Sequence, residues 1–177
     1  FGIMIYMLDT ANVSEIERLY DLYPIDGVTT NPSIVSKEQK TIKQIITDIR
    51  KVIGEDSMLH IQPISEKAED IVDDALRFRD LAGGSFYAKV PVTPQGIKAM
   101  QILKAQGIQV TATAIFTQQQ ALIAAKAGAD FIAPYVNRLD NISSDGIGVV
   151  SDIMKFINNY GFSTKILAAS FKNVEQV

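Results

Sequence analysis

Short runs rich in β-branched residues alternate along this chain with longer amphipathic stretches, the pattern of βα units laid around a parallel sheet. Seven runs are expected as strands: Ile3–Leu8, Gly27–Thr30, Met58–Gln62, Phe86–Val90, Val110–Ile115, Phe131–Val136 and Lys165–Ser170. Helical stretches fall between them, near Val13–Leu22, Thr41–Ile53, Glu66–Leu81, Pro94–Gln106, Gln118–Ala127 and Gly146–Tyr160. Thr93 before Pro94 and Ser65 before Glu66 read as helix starts, and Gly54, Gly83, Gly107, Gly128 and Gly161 as helix ends.

Strand starts recur about every 27 residues, so eight βα units would take about 216 residues. The chain has 177. The expected fold is therefore α/β, a (β/α)8 TIM barrel with strand eight and its helix missing, residues 1–177 forming a single domain. A doubly wound open sheet usually announces itself by a glycine-rich first turn, and the turn after strand one reads Asp9-Thr10-Ala11-Asn12 instead. Seven strands would leave strands one and seven with bare hydrogen-bonding edges, and the natural protein is expected to continue for about 40 residues to cover them.

Charge and cysteine usage narrow the function classes. A formal net charge of -3, from 17 basic and 20 acidic residues scattered along the chain, lacks the basic footprint of a nucleic-acid or membrane-surface binder and favours a small solute as partner. The absence of cysteine excludes disulfides, thiolate catalysis and sulfur-ligated metals. One histidine, His60, cannot build a multi-histidine metal site. Phe1–Leu8 is apolar but lacks a basic flank and meets Asp9 too early for a signal peptide or membrane span, so a cytoplasmic location is expected.

Active sites of such barrels form at the carboxyl ends of the strands, so polar residues that interrupt apolar strands there are informative. Strand one ends in Asp9, strand two in Thr29-Thr30-Asn31, and strand three in Gln62; strand four carries Lys89, strand five Thr111 and Thr113, strand six Tyr135 and strand seven Ser170. Lys89 is the sharpest candidate. Alternation puts Phe86, Ala88 and Val90 on one face and Lys89 on the other, and a covered parallel sheet is buried on both. A desolvated amine loses its proton more easily and becomes the neutral nucleophile that forms an imine with a ketone. The bland alternative is a lysine paired with a carboxylate. Asp9 taken alone fits a helix N-cap as well as a general base. Tyr135 alone fits a packed aromatic, and Gln62 and Thr113 alone mean little, though as a set the three can bind and move one water molecule.

Asn137-Arg138 after strand six and Ser170-Phe171-Lys172 after strand seven lie where barrel enzymes often hold phosphate. Arg138 and Lys172 fit solvated rim charges equally well. His60 shares a strand face with Gln62, yet a structural role is the simpler reading. Asp145-Gly146-Ile147-Gly148 follows no strand directly and lacks a third glycine, so it is a weak nucleotide signal.

Leu8-Asp9-Thr10, Gly27-Val28-Thr29-Thr30-Asn31-Pro32-Ser33, Lys89-Val90-Pro91-Val92-Thr93, Ala133-Pro134-Tyr135-Val136-Asn137-Arg138 and Ala168-Ala169-Ser170-Phe171-Lys172 together resemble the small transaldolases and fructose-6-phosphate aldolases, over essentially the whole chain. The resemblance implies that Lys89 is the imine lysine and Asp9 the base acting on the C4 hydroxyl. It implies that Asn31 is a hydrogen-bond partner for substrate or lysine, with Thr30 beside it among the substrate-binding residues, that Gln62, Thr113 and Tyr135 hold the catalytic water, and that Arg138, Ser170 and Lys172 hold the phosphate. No metal or organic cofactor is implied. Transaldolases of this family carry Glu and Phe where this chain has Gln62 and Tyr135, and the larger ones carry Asn and Ser where it has Thr111 and Ala133. The resemblance therefore points to cleavage or formation of fructose 6-phosphate from dihydroxyacetone and glyceraldehyde 3-phosphate. The alternatives are transaldolase transfer of the dihydroxyacetone unit between sugar phosphates in the pentose phosphate pathway, or an inert or sugar-phosphate-binding relative. Family members of this size also assemble as homo-oligomers, pentamer rings or decamers.

Overall fold

The computed structural model describes residues 5–134, 145–167 and 170–171. Contacts gather them into two compact units, one bounded by Phe1–Ile64, Asp73–Ala88 and Ala169–Val177, the other by Ser65–Val72 and Lys89–Ala168.

The first unit opens with β1 (Met7–Asp9), α1 (Val13–Leu22) and β2 (Gly27–Thr29). A short helix α2 (Pro32–Ser36), then α3 (Ile42–Ile53) and β3 (Met58–Ile61) follow. The helix α4 (Ala68–Ala82) starts in the second unit and ends in the first, and β4 (Phe86–Pro91) runs the other way. β1, β2, β3 and the start of β4 pair in parallel, in chain order. Met7, Leu8, Val28, Leu59 and Ile61 are buried on these strands, and Ile16, Leu19, Ile45, Ile46 and Ile49 on α1 and α3. Each such side chain contributes about 1.5–3 kcal/mol by leaving water. Gly27 lets β2 and β3 approach: a Cβ there would lie 2.4 Å from the Met58 carbonyl oxygen. Below β3 the buried guanidinium of Arg50 donates to the carbonyls of Ala82, Gly54, Ser57 and Ser85 at 2.7–2.9 Å, tying the end of α3 to the turns that feed β3 and β4.

The second unit holds the end of β4, then α5 (Pro94–Ala105), β5 (Gln109–Ile115), α6 (Gln118–Lys126), β6 (Phe131–Pro134), α7 (Asp145–Asn159) and β7 (Lys165–Ile166). β5, β6 and β7 again pair in parallel. Val110, Ala112, Ile115, Phe131 and Ile132 are buried on the strands and Ala99, Met100 and Leu103 on α5. The Thr93 hydroxyl accepts from the Gly96 N–H at 3.0 Å, the N-cap expected ahead of Pro94. Gly96 is required here, because a Cβ would come within 1.9 Å of the Pro91 carbonyl oxygen.

The order of elements is that of a (β/α)8 barrel short of its last βα unit. Four local expectations are corrected. α2 was not foreseen. α4 starts at Ala68 rather than at Glu66, its first N–H received by the Gln95 side chain at 3.0 Å. The expected seventh strand, Lys165–Ser170, forms two short pieces: β7 beside β6, and β8 (Ser170–Phe171), which pairs in parallel with β1 through Met7↔Ser170 and Leu8↔Phe171. The edge of strand one, expected to be bare, thus has a partner, because the segment breaks after Ile166 and its last residues satisfy Met7 and Leu8.

Candidate active site

In the first unit, Asp9 closes β1. The alternative reading of Asp9 as a helix cap is removed, because α1 is capped by Asn12, whose side-chain oxygen accepts from the Glu15 N–H at 3.0 Å. Asn31 has a second occupation: its Oδ1 accepts from the Ile34 N–H at 2.9 Å and starts α2. That bond uses one of the two lone pairs of the amide oxygen, and the amide nitrogen of the same side chain can donate. Thr30 is fully buried and its N–H donates to the His60 carbonyl at 3.1 Å, continuing the ladder between β2 and β3. Gln62 follows β3 directly and is half-buried. His60 is fully buried, its ring stacked on Tyr87 with centroids 4.4 Å apart and planes 11° from parallel. It is therefore a structural histidine in packing terms, and not a solvent-facing one.

In the second unit, Lys89 lies within β4 and is 7% exposed; Ala88 and Val90 on either side are wholly buried, so the strand is covered on both faces as the alternation implied. β4 then ends in Pro91, and the Thr93 N–H returns to the Pro91 carbonyl at 2.9 Å, so the Lys-Val-Pro-Val-Thr block is one strand-to-helix turn. Thr111 and Thr113 are buried on β5. The register slips there: Ala112 faces Ile132 but Ile115 faces Pro134, so Thr113 and Ala114 oppose the single residue Ala133. Ala114 takes φ +59°, a left-handed conformation that costs about 1–2 kcal/mol for a residue with a Cβ. The Thr113 carbonyl accepts from the Val92 N–H at 3.0 Å, which holds the bulge against the turn after Lys89. A bulge re-aims the side chains beside it, and nothing in the sequence signals this one.

Tyr135, Arg138 and Lys172 lie outside the described residues, and Ser170 is described through its backbone pairing with Met7. Among the described residues no group of three or more His, Asp or Glu gathers at one point, and no helix is long and apolar enough to cross a membrane.

The family described as transaldolase/fructose-6-phosphate aldolase matches residues 6–177. A Streptococcus pneumoniae protein named "Probable fructose-6-phosphate aldolase" is 44% identical over 175 residues, covering 98% of this chain and 79% of its own length. Among solved structures, the chain resembles a dipeptide epimerase from Enterococcus faecalis V583, with TM-score 0.61 and 18% identity over 93% of this chain. The same enzyme with Mg and the dipeptide L-Leu-L-Tyr gives TM-score 0.60 at 18% identity. The chain spans about half of those structures, 47% and 46%, and at such identity the likeness concerns the fold alone. With the Thr-Thr-Asn-Pro-Ser and Lys-Val-Pro blocks seated on strand ends, and the family match running from residue 6 to residue 177, this chain belongs to the transaldolase/fructose-6-phosphate aldolase family.

Proposed function

We propose that the chain is a class I, Schiff-base aldolase acting on fructose 6-phosphate. The observation that carries the reading is Lys89, an amine excluded from water in the middle of an apolar strand, in the motif that opens α5. A dehydrated amine is a better nucleophile than a solvated ammonium. Lys89 attacks C2, water leaves, and the resulting imine accepts the electron pair of the C3–C4 bond when that bond breaks. Asp9 takes the C4 hydroxyl proton, and glyceraldehyde 3-phosphate departs. The enamine left on Lys89 is protonated at C3 and hydrolysed by a water held by Gln62, Thr113 and Tyr135, which releases dihydroxyacetone and the free amine. Asn31, through its amide nitrogen, and Thr30 bind the sugar, and Arg138, Ser170 and Lys172 receive the phosphate. No cofactor enters this sequence of steps.

The name of the 44% identical relative supports the aldolase reading, and family membership accommodates transaldolase transfer as the second. Gln62 and Tyr135 favour the first. A tyrosine hydroxyl helps hold the water that ends the reaction, whereas an apolar ring leaves the enamine waiting for an acceptor aldehyde. A cytoplasmic homo-oligomer is the setting that goes with this activity.

The test is borohydride reduction in the presence of dihydroxyacetone, followed by peptide mass analysis. The expected adduct sits on Lys89 and disappears in Lys89→Ala, along with turnover, while the circular dichroism stays native. An adduct that persists in the variant, or none in the natural sequence, overturns the reading.

A further inference from the structure

The registers within the first unit set Asp9 opposite Thr29, Thr29 opposite His60, and His60 opposite Tyr87. Residues opposed in a parallel ladder project to the same side of the sheet, so these four form one cross-strand row. Two residues further along the sequence from Thr29, His60 and Tyr87 come Asn31, Gln62 and Lys89, the residues assigned above to substrate, water and imine. Asp9 stands at the β1 end of the row.

His60 is the chain's one histidine and is 0% exposed. Stacking on Tyr87 at 4.4 Å accounts for a flat ring at this position but not for an imidazole. A phenyl ring would stack equally well and bury no nitrogen, and a buried polar ring is costly unless its nitrogens are bonded.

We propose that His60 is a positioning residue for Asp9, its imidazole N–H acting through the Thr29 hydroxyl to keep the Asp9 carboxylate oriented and ionised. The inference rests on the reading of Asp9 as the base. Adjacent strands lie roughly 4.8 Å apart, a gap that one threonine hydroxyl bridges, and a hydroxyl can accept from an imidazole N–H while donating to a carboxylate. In a dry layer each bond polarises the next, and a donor aimed at a carboxylate favours its charged form. The groups that face His60 are Thr29 from β2 and Tyr87 from β4, with Asp9 of β1 beyond Thr29 and Lys89 two residues on from Tyr87. Of these, Asp9, Tyr87 and Lys89 titrate. With His60 in place Asp9 stays deprotonated at the working pH and ready for the C4 hydroxyl proton.

The test compares pH profiles of kcat/KM for fructose 6-phosphate cleavage in the natural sequence, His60→Phe, His60→Gln and Thr29→Val, with the borohydride adduct measured in each. His60→Phe keeps the stack and removes the N–H. Its acid limb is expected to move up by about half a unit to one unit, a loss of roughly three- to tenfold on the acid side with the plateau changed much less. Thr29→Val breaks the link and should reproduce that shift, while His60→Gln, which retains an N–H donor, should restore most of the natural limb. Limbs of His60→Phe and Thr29→Val that coincide with the natural one overturn the proposal, as does a His60→Gln profile that tracks His60→Phe. Should His60→Phe not fold, Thr29→Val and His60→Gln decide by the same criteria. An adduct without a shifted limb sinks this inference alone, whereas no adduct in the natural sequence sinks the aldolase reading and this inference with it.

Discussion

The lower ends of the strands are held by different chemistry in the two units. In the first, Arg50 is buried and spends its guanidinium on four backbone carbonyls, with no carboxylate among the acceptors, and burial pushes its pKa below the usual arginine value. In the second, the half-buried carboxylate of Asp130 accepts from the Val110 N–H at 2.8 Å and from Lys104 at 2.9 and 3.0 Å, with Lys104 and Asp130 about 30% and 29% exposed. Both anchors tie a helix end to the start of a strand. The difference is what would remain after one partner is lost: four carbonyls, that of Ala82 buried and the others partly so, in the first unit, and one N–H of buried Val110 with a part-exposed ammonium in the second.

Arg50→Ala should therefore be the most damaging of these changes, lowering unfolding free energy by about 3 kcal/mol or more in denaturant titration, because four carbonyls lose a charged donor at once. Arg50→Lys sharpens the contrast: a point-charge ammonium cannot reach the arc a planar fork spans, so it should recover less than half of the loss. A lysine variant as stable as the natural protein would mean that charge alone matters there. Asp130→Ala should cost about 2 kcal/mol, and Asp130→Asn, which keeps an acceptor for Val110, about half as much. If Asp130→Ala proves as costly as Arg50→Ala, the number of backbone groups each side chain serves is not what separates the two anchors.

The smallest effect is expected at the exposed pair of Lys98 and Glu69, 3.0 Å apart in the second unit. The hydrogen bond from Lys98 holds the Glu69 carboxyl below its usual value, so what stability it adds is present above the ordinary carboxylate range and lost as the pH falls through the lowered value. Lys98→Ala should barely change Tm at neutral pH, and the two melting curves should merge in acid. A variant that stays distinct in acid would show that Lys98 acts through packing.

Lys89 was legible because strand alternation is local: a charged residue flanked by apolar ones in a parallel strand is buried wherever the strand goes. Asp9 was not separable from a cap in the same way, since both roles suit an aspartate just before a helix. Asn12, three residues away, takes the cap itself and removes that one reading. α2 is not legible in the sequence because five residues are too few to display helical periodicity, and its cap, Asn31, reads equally as a partner for substrate or lysine. The bulge at Thr113 and Ala114 left no mark either, because an alanine carries no signal of positive φ.

By itself the sequence determined the alternation of the longer strands and helices, the parallel sense of the sheet and the faces of its regular strands, since these follow from periodicities of two and 3.6 and from caps within a few residues. Tertiary structure alone decided register, and with it which residue of one strand meets which residue of the next. No local pattern states that Asp9, Thr29, His60 and Tyr87 share a row, or that Ser170 and Phe171 turn to β1 while Lys165 and Ile166 stay with β6. Those pairings are settled by how whole elements pack, and a slip of one residue would send every side chain to the opposite face.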